Sequence, residues 1–224
     1  MFDVLKSLRM IALAPALVIG LGACTADLSG LLSGPPPAVY QLDAPKAINA
    51  EGVETLAEQL SIEEPLTALS LDTERIAVNV GDQEVQYLAA SRWEDRAPRL
   101  LQQMLVEGFE NAGLFSGVAR KAVGLRADYV LYGELRTFAV DVDNSSKPAA
   151  NIAFTLNLVW PGNARIVASK TFEASSTAKS TSAKDLVAAM NVAQQDALKQ
   201  AILWTVQKVG ADVALRRPLV QTGN

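Results

Sequence analysis

Histidine is absent from the 224 residues of this chain, and cysteine occurs once, at position 24. The imidazole and thiolate ligands that are typical of zinc, haem and iron–sulfur sites are therefore missing. Serine–histidine and cysteine–histidine catalysis are excluded for the same reason, because both need an imidazole base. The alternative is a calcium or magnesium site built from carboxylates alone, but no Asp-x-Asp-x-Asp-Gly loop occurs. We expect no cofactor, no metal site and no catalytic residue, and therefore a protein that is not an enzyme.

Basic runs and glycine-rich loops are also missing. Lys and Arg together number 20 against 24 Asp and Glu, which gives a formal net charge of −4. Nucleic acid is therefore not an expected partner. The glycines are scattered and form no phosphate-binding loop after a strand, so the sequence offers no P-loop.

The first 23 residues have the layout of a secretory signal. Lys6 and Arg9 precede a run of apolar and small residues from 10 to 21. As a helix this run spans roughly 18 Å, which is well short of the ~30 Å hydrocarbon core, so it is a poor permanent anchor. The segment Leu21-Gly22-Ala23-Cys24 follows it and resembles the lipobox of bacterial lipoproteins. That resemblance implies that 1–23 is a signal peptide and that Cys24 is the lipid-attachment site.

The resemblance further implies that Cys24 becomes the first residue of the mature chain and carries two or three acyl chains, enough for stable anchoring. The alternative is an unmodified thiol beside an ordinary signal peptide or a core helix. Thr25 stands where an aspartate would resemble an inner-membrane retention signal. The sequence therefore favours a bacterial envelope protein that is anchored in the outer membrane and faces the periplasm.

The remaining chain divides into three parts. Residues 24–37 are rich in Ser, Gly, Leu and Pro and indicate a tether that cannot form a packed core. Residues 38–215 carry the periodic patterns of one domain, and 216–224 are expected to be a loose tail. Strands are expected at 38–42, 59–63, 75–80, 84–88, 118–122, 127–143, 151–160 and 165–174, with helices at 96–111 and from 182 to 210.

The strongest strand pattern lies at 151–160, where one face has Ile152, Phe154, Leu156, Leu158 and Trp160 and the other has Asn151, Ala153, Thr155 and Asn157. Turn residues on either side predict an antiparallel meander with the strands before and after it. The strand before it changes its apolar side near 134–136, which indicates a bulge or a strong twist. The expected fold is α+β, with an antiparallel sheet of about five strands and two main helices packed on one face.

Local signals also mark the helix ends. Asp95 is the expected N-cap of the first helix, Pro98 falls in its first turn and Gly113 follows its end. The segment Ser182-Ala183-Lys184-Asp185 has the spacing of a capping box, and Gly210 is expected to end the second helix.

The order of these features resembles the ABC-type transport auxiliary lipoproteins, a family that includes paraquat-inducible protein C, a partner of MCE-domain lipid transporters. The segments that carry the resemblance are the lipobox, Tyr40-Gln41-Leu42, Tyr87-Leu88, Ser91-Arg92-Trp93-Glu94-Asp95, Ala127-Asp128-Tyr129-Val130-Leu131 and the Ala-rich last helix near Trp204. Residues 49–71 do not match it position by position.

This resemblance implies a non-enzymatic, lipid-anchored component that works with an ABC permease, its ATPase and an MCE protein. Phospholipids or other apolar molecules would be the cargo, and copies of the chain would assemble into a ring. The missing P-loop agrees with an ATPase on other chains. The alternative is a structural or outer-membrane-assembly lipoprotein with no transport role.

Arg92 and Trp93 are the candidate partner-docking residues, because Arg and Trp are enriched at interface hot spots. The alternative for Trp93 is packing as a hydrophobic staple ahead of the first helix. Trp160 and Trp204 belong to apolar stripes and are expected in the core. The adjacent carboxylates of Glu63 and Glu64 are expected on opposite faces of a strand, where they cannot share a proton.

Overall fold

The computed structural model describes residues 36–48, 52–81, 83–120, 126–142 and 147–216. The predictions for the signal peptide, the lipobox residues Leu21, Gly22 and Ala23, the acceptor Cys24 and most of the tether lie outside these ranges. The described elements, in chain order, are β1 Ala38–Tyr40, β2 Leu56–Ile62, β3 Leu66–Thr67, β4 Arg75–Val80, β5 Glu84–Trp93, α1 Ala97–Ala112, β6 Phe115–Arg120, β7 Tyr129–Val142, β8 Ala149–Trp160, β9 Arg165–Thr177 and α2 Ala183–Arg216.

The long strand β7 organises the sheet. Along one edge it pairs antiparallel with β8, which in turn pairs antiparallel with β9, so the predicted meander is confirmed. Along the other edge β2, β3 and β4 lie end to end, each parallel to β7, through the pairs Leu60↔Tyr129, Leu66↔Glu134 and Ala77↔Ala139. The sheet then continues from β2 to β6 and from β4 through β5 to β1.

The α+β class and the two helices are confirmed, but the prediction of an antiparallel sheet of about five strands is wrong. The described residues form a mixed sheet of nine strands. Strands β2, β3 and β4 reach β7 from far upstream, and parallel partners need long crossovers that leave no local turn signal. Residues 49–71, which the family resemblance does not match position by position, contain both β2 and β3.

The alternating pattern of β8 explains where the core lies. Ile152, Phe154, Leu156 and Leu158 are at most 1% exposed. They face α2, which packs on β8 and β9, while α1 packs on β6 and β2 and touches α2. The bulge predicted in β7 is confirmed between Leu135 and Thr137.

Gly133 allows β7 to approach the segment between β2 and β3. A Cβ at this position would lie 3.0 Å from both Cβ and Cγ of Pro65. This is tighter than ordinary van der Waals contact, so the rigid proline ring favours glycine at 133.

Helix α1 ends as predicted, with Gly113 in the left-handed region (φ 63°) and its N–H directed to the carbonyls of Phe109 and Glu110. Its start differs by one residue. Arg96, not Asp95, is the N-cap, and it makes no side-chain capping bond. Asp95 instead accepts a 2.8 Å hydrogen bond from the Arg96 N–H.

Helix α2 starts as predicted but runs past its expected end. The Ser182 hydroxyl accepts a 3.3 Å hydrogen bond from the Asp185 N–H, whereas the Asp185 carboxylate pairs with Ser180 rather than closing a capping box. Gly210 lies inside the helix, which continues to Arg216, so the prediction that Gly210 ends it is wrong. An ion pair between Asp212 and Arg216 spans the added turn, and Asp212 is buried there.

In the described part of the chain, neither helix combines the length and hydropathy needed to cross a bilayer.

Candidate docking surface

The side chain of Trp93 anchors the segment that joins β5 to α1 to the core. This side chain is fully buried and meets Phe138 edge-on, with 5.7 Å between the ring centroids. Its backbone N–H donates a 2.7 Å hydrogen bond to the carbonyl of Glu74, and the next N–H, of Glu94, donates to the carbonyl of Tyr40. Because neighbouring side chains on an extended backbone point in opposite directions, the anchored Trp93 turns Arg92 and Glu94 outward.

Charged side chains from four segments surround this point. We call them the α1-entry surface: Glu64, Asp72, Glu74, Arg92, Glu94, Asp95, Arg96 and Arg99. Arg92 pairs with Glu74 at 2.7 Å, and Arg96 pairs with Glu64 at 2.7 Å and also with Asp72. The surface carries five carboxylates and three guanidinium groups, so its formal charge is about −2.

The contacts at the edge of the α1-entry surface tie further segments to it. Arg99 approaches Asp95 at 3.4 Å, and Glu94 accepts a 2.6 Å hydrogen bond from the amide of Gln41. A hydrogen bond with Asp72 is the main reason why the pKa of Arg96 lies above its ordinary value. These pairs are solvent-exposed, so they contribute little stability and mainly fix the pattern of charge. The arrangement suits recognition of a complementary polar surface rather than catalysis.

The structure separates the two residues that the sequence singled out. The Arg92 side chain is 38% exposed and belongs to the α1-entry surface. Trp93 occupies the core, which is the packing alternative, so it supports the surface without being accessible to a partner. Cys24 and its lipobox lie outside the described residues.

The other predicted positions fall as follows. Trp204 is 9% exposed and packs edge-on against Phe172, with 5.5 Å between centroids. Trp160 is partly buried against the core, and the Arg216 guanidinium lies 4.9 Å from its ring. Of the carboxylate pair, Glu64 joins the α1-entry surface.

A second charged cluster lies under the end of α2 and was not predicted. Asp212 is 5% exposed and accepts hydrogen bonds from the Tyr129 hydroxyl at 2.7 Å, Arg165 at 2.5 Å and Arg216 at 2.9 Å. Arg216 also donates to the Tyr129 hydroxyl. The cluster therefore joins the start of β7, the start of β9 and the last turn of α2.

The pKa values of this cluster follow from burial and hydrogen bonding. Burial, with the hydrogen bond to Asp212, raises the pKa of Tyr129 well above its ordinary value. Burial alone would raise the pKa of Asp212, but the bonds from Arg165 and Tyr129 and the two positive charges outweigh it and lower the pKa. Asp212 and Arg216 have helical i, i+4 spacing, which in the sequence indicates an ion pair between them. Nothing in the sequence indicates the contact between Asp212 and Tyr129, which are 83 residues apart.

Residues 40–202 match the family described as the ABC-type transport auxiliary lipoprotein component. This range includes the α1-entry surface and most of the domain. The chain belongs to this family. The family is one of auxiliary lipoproteins rather than enzymes, and its name associates the chain with ABC-type transport in the bacterial envelope.

Known proteins agree with this assignment at the level of fold. The crystal structure of protein XCC0632 from Xanthomonas campestris is 27% identical, with a TM-score of 0.73 over 79% of this chain and 99% of that one. The hypothetical protein CT253 from Chlamydia trachomatis, at 9% identity, has a TM-score of 0.50 over 69% of this chain and 99% of its own.

An uncharacterised protein of Bradyrhizobium diazoefficiens is 30% identical over 201 residues, which cover 85% of this chain and 53% of the relative. The chain therefore spans about half the length of that curated relative.

Proposed function

We propose that this family member is a lipid-anchored docking component of an ABC transport system that includes an MCE-domain protein. It would stand on the outer membrane, face the periplasm and help to move phospholipids or other apolar molecules between membranes. The permease and the ATPase would be separate chains. The α1-entry surface is the observation that carries the proposal, because it presents an ordered charge pattern in a chain of this family.

Three features support a docking role. Trp93 fixes the backbone from the core side, so Arg92 and Glu94 are presented without the entropy cost of ordering a loop on binding. The charges come from separate parts of the chain and are already paired, so a partner meets a preformed pattern. Exposed complementary charges mainly set orientation and association rate, which suits an assembly that must align with a tunnel-forming partner.

The proposed anchor is Cys24, acylated after cleavage behind Leu21-Gly22-Ala23. The 14 residues of 24–37 would then link the membrane to β1, with a reach of at most about 50 Å when fully extended. The sequence of the segment supports this, because its proline run favours an extended chain. Anchored copies confined to one membrane surface would be concentrated for assembly into a ring.

A crosslinking pull-down from intact envelopes tests the proposal. The lipidated chain serves as bait, and mass spectrometry identifies its neighbours. Recovery of an MCE protein together with its permease is the expected result. Recovery of outer-membrane-assembly or cell-wall proteins alone would contradict the transport role and leave an envelope lipoprotein of structural function.

A further inference from the structure

A groove of about 620 Å³ lies between the second half of α2 and the start of β2. Residues 52–58, which are the segment before β2 and the first three residues of that strand, form one wall, and α2 from Leu203 to Ala214 forms the other. This stretch of α2 is about 17 Å long, because an α-helix rises 1.5 Å per residue. The groove is therefore about three helical turns in length.

Apolar side chains line much of the groove. Val53 on one wall and Leu203 on the other are 40% and 38% exposed. Leu56 and Val213 are half-buried and lie between these exposed residues and the core. Contiguous apolar surface with a polar rim is typical of an interaction site.

Gly210 lies in the floor of the groove and is not explained by packing among the described residues. It does not end α2, and its φ is not positive. A Cβ added there would meet only the Cδ2 atom of Leu56, at 3.8 Å, which is an ordinary contact. Glycine stabilises the interior of a helix less than alanine does, so its presence at position 210 needs another reason. Gly210 has no side chain, and Ala211 and Ala214 beside it have small ones. The backbone of another helix can therefore approach α2 closely at this point.

The wall formed by residues 52–58 is acidic. Glu54 is exposed and Glu58 half-exposed, and neither has an ion-pair partner among the described residues. The facing wall of α2 contributes the uncharged Gln207. The groove therefore combines an apolar floor with a negative edge on one side.

We propose that this groove binds an amphipathic helix of a partner protein, with its apolar face on the floor and Lys or Arg side chains along the edge that faces Glu54 and Glu58. This is the helix-in-groove mode of recognition, with apolar anchors at i, i+3, i+4 and i+7. Helix α1 of a second copy is a poor occupant, because its exposed side carries Glu107 and Glu110 and is not a basic face. The proposal does not depend on the transport role.

The test uses the full lipidated chain in phosphatidylcholine nanodiscs, with protein-free discs as background. The probe is a labelled amphipathic peptide of about 18 residues, long enough to form a helix on binding, with leucines on one face and lysines on the flank. A matched peptide has glutamates in place of the lysines. Fluorescence anisotropy gives the Kd of each peptide.

We expect the lysine peptide to bind at least about tenfold more tightly than the glutamate peptide, because the groove edge is negative. Gly210→Leu should weaken its binding by about tenfold or more, since the added side chain fills the floor. Ala188→Leu, on an exposed part of α2 outside the groove, is the matched control and should leave the Kd unchanged.

The double variant Glu54→Lys, Glu58→Lys provides a second test that does not rely on Gly210→Leu folding correctly. It should reverse the preference and favour the glutamate peptide. Glu107→Lys with Glu110→Lys makes the same charge change on α1 and should leave the preference as in the wild type. Equal losses in the groove and control variants would overturn the proposal. The proposal would also be overturned if neither peptide bound and a fluorescent fatty acid bound saturably to the wild type but not to Gly210→Leu.

Discussion

The Tyr129 hydroxyl donates a 2.7 Å hydrogen bond to Oδ2 of Asp212, which lies 83 residues further along the chain. This contact joins the first residue of the central strand β7 to the last turns of α2. Because Asp212 is buried and also accepts from Arg165 and Arg216, it holds the end of α2 against the sheet. The helix therefore continues beyond Gly210 because the tertiary contacts of Asp212 add to its local i, i+4 ion pair with Arg216.

Asp212→Ala should lower the free energy of unfolding by about 2 kcal/mol, because it leaves the buried Tyr129 hydroxyl without its acceptor. The figure is below that of a fully buried ion pair, since Arg165 and Arg216 are partly exposed. Urea denaturation followed by circular dichroism measures the change. Asp196→Ala, an exposed carboxylate on the same helix, should change stability by less than about 0.5 kcal/mol. Equal effects of the two substitutions would contradict the role given to Asp212.

The same cluster predicts a dependence of stability on pH. The pKa of Asp212 is below the ordinary aspartate value of 3.8, so its ionised form is favoured in the native state. Its contribution is fully present above that value and is lost as the pH falls through the native pKa. Urea unfolding of the wild type and of Asp212→Asn should differ by a constant amount between about pH 5 and pH 8, below the titration of Tyr129, and the difference should shrink in more acidic buffers. Parallel profiles down to the acid limit would show that Asp212 is not the responsible group.

Arg92 and Trp93 are adjacent but should behave oppositely. Trp93→Ala removes a fully buried ring and should cost about 3–5 kcal/mol of stability. Arg92→Ala removes an exposed ion pair and should cost less than about 1 kcal/mol. Thermal or urea unfolding measures both. Trp93→Phe should recover most of the loss, because the ring packing against Phe138 is retained and the buried Nε1, which has no acceptor among the described residues, is removed.

Cys24→Ala should release the chain from the membrane without unfolding the domain, because the proposed acyl anchor and the folded core are separate physical units. Fractionation of envelopes, followed by a salt wash, measures attachment, and circular dichroism of the released protein checks the fold. A Cys24→Ala protein that still pellets with membranes after the wash would contradict a lipid anchor at this residue.

Local patterns predicted the elements well where burial has a clear period. The alternation of 152–158 placed β8 and its inner face, and Gly113 marked the end of α1 because a left-handed residue there satisfies the last carbonyls. The bulge in β7 was also readable, since it shifts the apolar side of the strand by one residue. These features depend on neighbours within a few residues.

Features that depend on distant partners were not predictable in the same way. The parallel pairing of β2, β3 and β4 with β7 joins segments some 60 to 70 residues apart and has no turn signature. Gly210 was expected to end α2 because glycine is common after helices, but the Asp212 cluster extends the helix. At the candidate docking surface, the sequence singled out Arg92 but not Asp72, Glu64 and Glu74, which reach it from other strands and turns.

Site-specific photo-crosslinking in living cells tests the central claim most directly. A photoreactive residue at position 92 would lie on the α1-entry surface, and one at position 173, on β9 at the far edge of the sheet, is the control. The account predicts that position 92 crosslinks to an MCE-domain protein or its permease and that position 173 does not. Equal yields at both positions, or crosslinks from position 92 to outer-membrane-assembly proteins alone, would contradict it.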